Sequence, residues 1–183
     1  MRCGRPQRLL CFACERREGL GFTARILRRN PVLAARLGKI YGHWHVMFTR
    51  RGFFSEIPFS KSKFYKYFQN TIDQPDTYLG LKVFLGDKIL GFSYAYIGGY
   101  FIGDGARGVT VNTINVDQSA RSGLLGGKIA LRLVRGIEVW ARKQRANVIP
   151  YHVTSGKNVA STDRFFRKVG MATLGGNYGI RIK

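Results

Sequence analysis

The segment VTVNTINVDQSARSGLLGGKIALRLVRGIEVWARKQR, residues 109–145, joins three patterns without a break. From Val109 to Val116, Val, Thr, Ile and Asn alternate with the two-residue period of a strand. Asp117 to Gly127 is a loop rich in Gly, Ser and Arg. From Lys128 to Arg145 the residues Ala130, Leu133, Val134, Ile137, Trp140 and Ala141 recur at i, i+3, i+4, i+7, the spacing of one helix face. A strand that runs through a glycine loop into a helix brings unpaired backbone N–H groups and the positive end of the helix dipole to one point, which suits a phosphate. Gly126 and Gly127 permit close approach there, and Arg121, Lys128 and Arg132 add positive charge. The loop is neither GxGxxG nor GxxxxGK followed by Ser or Thr, which turns the reading away from dinucleotide and nucleoside triphosphate sites.

Outward from this core, Phe64, Tyr67 and Phe68 recur at helical spacing and predict a helix over Lys61 to Ile72, capped by Ser60. Thr77 to Leu85 and Ile89 to Ile97 read as strands joined in a hairpin at Gly86-Asp87-Lys88. Beyond the core, Val148 to Thr154 reads as a strand, Asn158 to Val169 as a helix closed by Gly170, and Met171 to Ile182 as two strand pieces around Gly175-Gly176. The order is helix, three strands, helix, strand, helix, strand. Residues 1–46 are expected to be a basic N-terminal extension and residues 47–183 one domain.

The 183 residues suit one core plus an appendage, and 45% hydrophobic with 13% aromatic residues is enough apolar material to argue against a disordered chain. The charge is less ordinary: 31 Lys and Arg against 10 acidic residues give +21, a field that draws anionic partners. Up to Arg51 the chain carries twelve basic residues and two acidic ones, so about half of that charge falls in the first 51 residues. A nucleic acid held by this arm is the anionic partner expected from it. Cys3, Cys11 and Cys14 are too few and too clustered for a disulfide framework, so a reducing, cytoplasmic location is expected. Cys11-Phe12-Ala13-Cys14 has the spacing of half a zinc site, with Cys3, His43 or His45 as further ligands, but no second CxxC supports it and no metal is expected. No apolar run reaches the length of a membrane span.

Thr154-Ser155-Gly156-Lys157-Asn158, Thr162, Phe165-Phe166 and Gly170-Met171 resemble a C-terminal signature of the GNAT N-acetyltransferases, in a branch common in bacterial and phage genomes. Glu56-Ile57-Pro58-Phe59 resembles a further segment of that branch. The resemblance implies an α/β (α+β) fold with a central mixed, mostly antiparallel sheet splayed at a CoA cleft and flanked by helices. It also implies acetyl-CoA as co-substrate, an amine acceptor, and, for a phage-borne chain, a host-cytoplasm or virion location. The family's pyrophosphate loop falls on Leu125, Gly126, Gly127, Lys128, Ile129 and Ala130, or, in a second register, starts at Arg121. Asn115 and Val116 join the cofactor set, with a backbone N–H near Val116 polarising the thioester carbonyl. Thr154 and Asn158 complete it, Asn158 on the pantetheine arm.

Amine attack on a thioester needs a base for the ammonium proton and an acid for the thiolate. Glu56 and Asp117 are the carboxylates best placed as base, with Asp104 third. Phe166 stands where the family often has a Tyr as acid, so Tyr178 takes that role, with Tyr151 as an alternative. His152 lies in a strand and reads as a core histidine. Phe92, Tyr94, Tyr96, Tyr100 and Phe101 read as core and hairpin surface. The competing reading is a basic binding protein, nucleic-acid-associated or a virion component, that uses the same fold as a scaffold.

Overall fold

The computed structural model describes residues 23–26 (backbone only), 57–86, 88–100, 103–121, 123–152 and 159–175. In chain order its elements are β1 (Thr23–Ile26), α1 (Lys61–Asp73), β2 (Tyr78–Leu85), β3 (Lys88–Gly99), β4 (Arg107–Val116), a 3-10 turn (Gln118–Ala120), α2 (Gly123–Lys143) and α3 (Val159–Lys168). The strands form one sheet in the order β1-β2-β3-β4, each neighbour antiparallel. Gly108↔Val148 and Val111↔Tyr151 add a parallel contact on the free edge of β4. This is the expected α+β class, with a mostly antiparallel sheet flanked by helices. Among the described residues, no helix is long and apolar enough to cross a membrane.

Period-two alternation gives the sheet two different faces. One carries Leu79, Leu81, Val83, Ala95, Ile97, Val109 and Val111, packed under Ile129, Leu133, Ile137 and Trp140 of α2. The helix lies close: a Cβ on Gly136 would fall 2.7 Å from Leu81 Cδ1, so a larger residue there would push helix and sheet apart. The other face is aromatic, with Phe92 and Tyr94 of β3 meeting Phe64 and Phe68 of α1. Ser60 caps α1 as expected, accepting from the Lys63 N–H at 3.3 Å.

Three expectations need correction. Four residues of the stretch read as an N-terminal extension, Thr23–Ile26, pair with β2 inside the sheet. Four residues paired along one edge carry too little periodic signal to read as a strand. Helix α2 begins at Gly123, not Lys128, because Leu125 and Gly126 already pack against the core; the glycines that looked like loop residues occupy its first turns. The strand predicted over Val148 to Thr154 is reduced, among the described residues, to the two bridges at Val148 and Tyr151.

Candidate functional site

One end of β4 is held firmly. The Arg107 N–H donates to Asn147 Oδ1 at 2.8 Å, the Asn147 N–H returns to Arg107 O at 2.9 Å, and the Val109 N–H donates to Val148 O at 2.9 Å. The Arg107 guanidinium also donates to Gln144 O, at 2.8 Å, which ties this end to the end of α2. Past Val111↔Tyr151 no described residue pairs with that edge.

The divergence coincides with a fault in the other ladder. Ala95 pairs with Val111 but Tyr94 pairs with Thr113, so Asn112 is an extra residue, a β-bulge that bends the strand. Sequence reasoning missed this bulge. Its one trace is an Asn inside a β-branched run, a residue depleted in strands.

The far end of β4 leads into a compact turn. Asp117 accepts from the Ser119 N–H at 2.9 Å and from the Ser119 hydroxyl, while Lys88 Nζ donates to Ser119 Oγ at 2.9 Å. Arg121 then folds back on the strand it follows: Nε donates to Val116 O at 2.8 Å and Nη2 to Asn115 Oδ1 at 2.9 Å. Asn115 is buried and Arg121 is exposed. Gly126 holds this turn close to the helix, since a Cβ there would fall 2.8 Å from Arg121 O and 2.9 Å from Ala120 O, both fixed backbone atoms. A Cβ on Gly127 would meet nothing within 4 Å.

The structure thus brings Asn115, Val116, Arg121, Leu125 and Gly126 together at the start of α2. The free N–H groups of a helix are those of its first turn, so here they begin at Gly123, and those of Ile129 and Ala130 lie inside the helical ladder. Ile129 is wholly buried in the core, whereas Gly127 and Lys128 are exposed. The first turn of α2 carries no acidic residue, leaving the positive end of its dipole uncompensated from within.

Of the residues expected to do chemistry, Glu56, Thr154, Asn158 and Tyr178 lie outside the described residues, as do Cys3, Cys11, Cys14, His43, His45 and Phe101. Asp104 sits in an exposed turn ahead of β4. Tyr151 stands at the last bridge, its ring 5.1 Å from that of Phe166 on α3. Its hydroxyl is buried without a hydrogen-bond partner among the described residues. Burial, and then the nearby Glu138 carboxylate, push this phenol well above its ordinary range. Burial pushes the Tyr94 phenol up as well, followed by the effect of Tyr78, while Asn70 pulls the other way. His152 is exposed, not a core residue, because it follows Tyr151 just past the last bridge and turns to the opposite side.

No model of a known protein family matches the sequence, and no curated protein does. Solved structures do match. AAC(6')-Iy, in complex with the bisubstrate analog CoA-S-monomethyl-acetylneamine, superposes with a TM-score of 0.66 at 12% identity, over 88% of this chain and 98% of that one. Glucosamine-6-phosphate N-acetyltransferase from Arabidopsis thaliana gives 0.61 at 13% identity, over 88% and 99%. The chain has the GNAT acetyltransferase fold. Ribosomal-protein-alanine N-acetyltransferase from Brucella melitensis biovar Abortus 2308 shares this GNAT fold with a TM-score of 0.59 at 14% identity, over 88% and 99%. At such identities the fold is what these proteins have in common with this chain, and the chemistry has to be argued from its own site.

Proposed function

We propose that this protein is an acyl-CoA-dependent N-acetyltransferase that moves the acetyl group of acetyl-CoA to an amine of a small molecule or protein. The observation that carries the reading is the forked edge of β4, closed at Val111↔Tyr151 and leading at its other end to Arg121 and the start of α2. An anionic group is recognised at one end of that edge and a reacting centre is sheltered at the other. AAC(6')-Iy, with a CoA conjugate bound on the same fold, supports acetyl-CoA as the ligand.

In this reading the pyrophosphate meets Arg121 and the N–H groups at the start of α2, with Lys128 a turn further on. Leu125, Gly126 and Gly127 shape that turn, and Ile129 and Ala130 anchor it to the core. Val111 and Val116 are five residues apart, about 17 Å along the strand, so one CoA molecule held by its pyrophosphate near Val116 carries its thioester to the bulge at Asn112. Asn115 and Val116 then flank the pantetheine arm, joined by Thr154 and Asn158 from the sequence resemblance. A strand N–H freed by the bulge is the donor for the thioester oxygen, since an oxyanion site needs only a fixed dipole. The thiolate takes its proton from Tyr178 or from Tyr151, whose phenol keeps its proton and lies at the fork. Glu56 is the carboxylate that the resemblance offers as base; Asp117 is engaged in capping the turn before α2.

The test is the thermal midpoint of the full chain with and without acetyl-CoA at moderate salt. Ligand at a hundred times its dissociation constant stabilises by about 2.7 kcal/mol, a readily measured rise. Absence of any rise would overturn the reading. A rise licenses a search for the amine by detection of released CoA thiol.

A further inference from the structure

We infer that His152 is the base that takes the proton from the attacking amine, an assignment that rests on the acetyltransferase reading above. The argument begins with register. Tyr151 pairs with Val111, and both pack into the aliphatic core on the α2 face. Successive residues of an extended chain alternate faces, so residue 152 belongs to the α1 face. There the register aligns Tyr94 with Thr113 and Tyr96 with Thr110. His152 is exposed on that face and is the first residue past the closing bridge, level with the bulge at Asn112.

The carboxylates among the described residues are elsewhere or occupied. Asp117 caps its own turn at the far end of β4. Glu138 belongs to α2, beside Tyr151 on the opposite face. Asp163 pairs with Arg167 at 2.9 Å, Asp73 accepts from Gln69 at 2.8 Å, and Asp76 accepts from Gln144 at 3.3 Å. Asp104 precedes β4, on the closed side of the fork. The titratable groups that share the face with His152 are phenols: Tyr94 and Tyr96 of β3, and Tyr67 of α1, whose ring lies 5.0 Å from that of Tyr94. An imidazole there suits the task, because it is the side chain whose charge changes between pH 5 and 8.

The step balances. His152 removes one proton from the ammonium, and the nitrogen lone pair forms the N–C bond to the thioester carbon. The C–S bond then breaks with its electron pair on sulfur. The thiolate takes up a second nitrogen proton through the acid, giving amide and CoA thiol, and His152 returns its proton to solvent.

The experiment compares the full chain with His152→Gln. Tyramine, glucosamine 6-phosphate and an alanine-ended peptide serve as acceptors, and released CoA thiol is followed from pH 5.5 to 8.5. Wild type should lose kcat/KM with a one-proton slope as the pH falls through the imidazole range. H152Q should lose about 100-fold in rate together with that slope, while its acetyl-CoA thermal shift is retained. Turnover within twofold of wild type and an unchanged pH profile would overturn the assignment. A wild type whose midpoint does not respond to acetyl-CoA would instead overturn the acetyltransferase reading beneath it. The histidine NMR signals, assigned by their loss in H152Q, give a readout independent of the acceptor. Acetyl-CoA should move the His152 Hε1 signal, and a signal unmoved while the midpoint rises would also sink the proposal.

Discussion

The two ends of β4 are built from similar residues and serve opposite ends. At Arg107–Val111 the strand is paired on both edges, and Arg107 and Asn147 exchange two backbone-level hydrogen bonds. At Asn112–Val116 the described pairing continues on the β3 side alone, and the carbonyl of Val116 is met by Arg121. A cleft in a sheet therefore needs a closed end as much as an open one. The closed end fixes how far the strands diverge, and the bulge decides where divergence starts.

The largest test of this contrast is at the open end. Gly126→Asp places atoms against the carbonyls of Ala120 and Arg121, which no rotamer change relieves, and adds a negative charge at the positive end of α2. The acetyl-CoA thermal shift should vanish, a loss of about 2.7 kcal/mol under the conditions given above. Gly126→Ala separates sterics from charge and should remove most of the shift as well. Next in size is Arg121→Ala, expected to weaken acetyl-CoA binding about tenfold, or about 1.4 kcal/mol, by calorimetric titration. A variant that melts lower yet binds equally well would show that Arg121 only fastens the turn to β4.

At the closed end, Asn147→Ala removes the acceptor for the Arg107 N–H and should cost about 1 kcal/mol by urea denaturation. Its effect on acetyl-CoA affinity should be smaller than that of R121A; the reverse order would break the division of labour between the two ends. Alkaline pH probes the same region. The Tyr151 and Tyr94 phenols are held above the ordinary value of 10.0, so the fold favours their neutral forms. That stability is complete below pH 10 and is lost as the pH rises toward their folded values. Tyr151→Phe should flatten part of the fall in thermal midpoint above pH 10, and spectrophotometric titration should find two tyrosines ionising last. The smallest effect has the opposite sign. Gly127→Ala should stabilise by about 0.5–1 kcal/mol, because the site is open and helical.

Much of the fold was legible in local pattern. Phe64 and Phe68 marked α1, Ser60 its cap, Gly86 the hairpin, and Leu133, Val134, Ile137 and Trp140 the buried face of α2. The candidate site was legible in part. Arg121 and Gly126 could be named, but Gly126 looked like a residue yielding space to a phosphate, whereas it yields space to the chain's own backbone. The start of α2 was misread because glycine disfavours helix locally, and the packing of Leu125 and Ile129 onto the sheet overrides that preference.

What the sequence determined by itself was everything carried by periodicity and short-range chemistry: the type and order of the main elements, the amphipathic faces, the caps and the excess of positive charge. The tertiary structure alone decided the register of β4 against β3 and against residues 147–151. From that register follow the bulge at Asn112, the closing bridge at Tyr151 and the turn of His152 to the α1 face. The physical reason is that strand register is set by partners 15 to 40 residues away, and a one-residue offset reverses every side chain beyond it without leaving a mark on local composition.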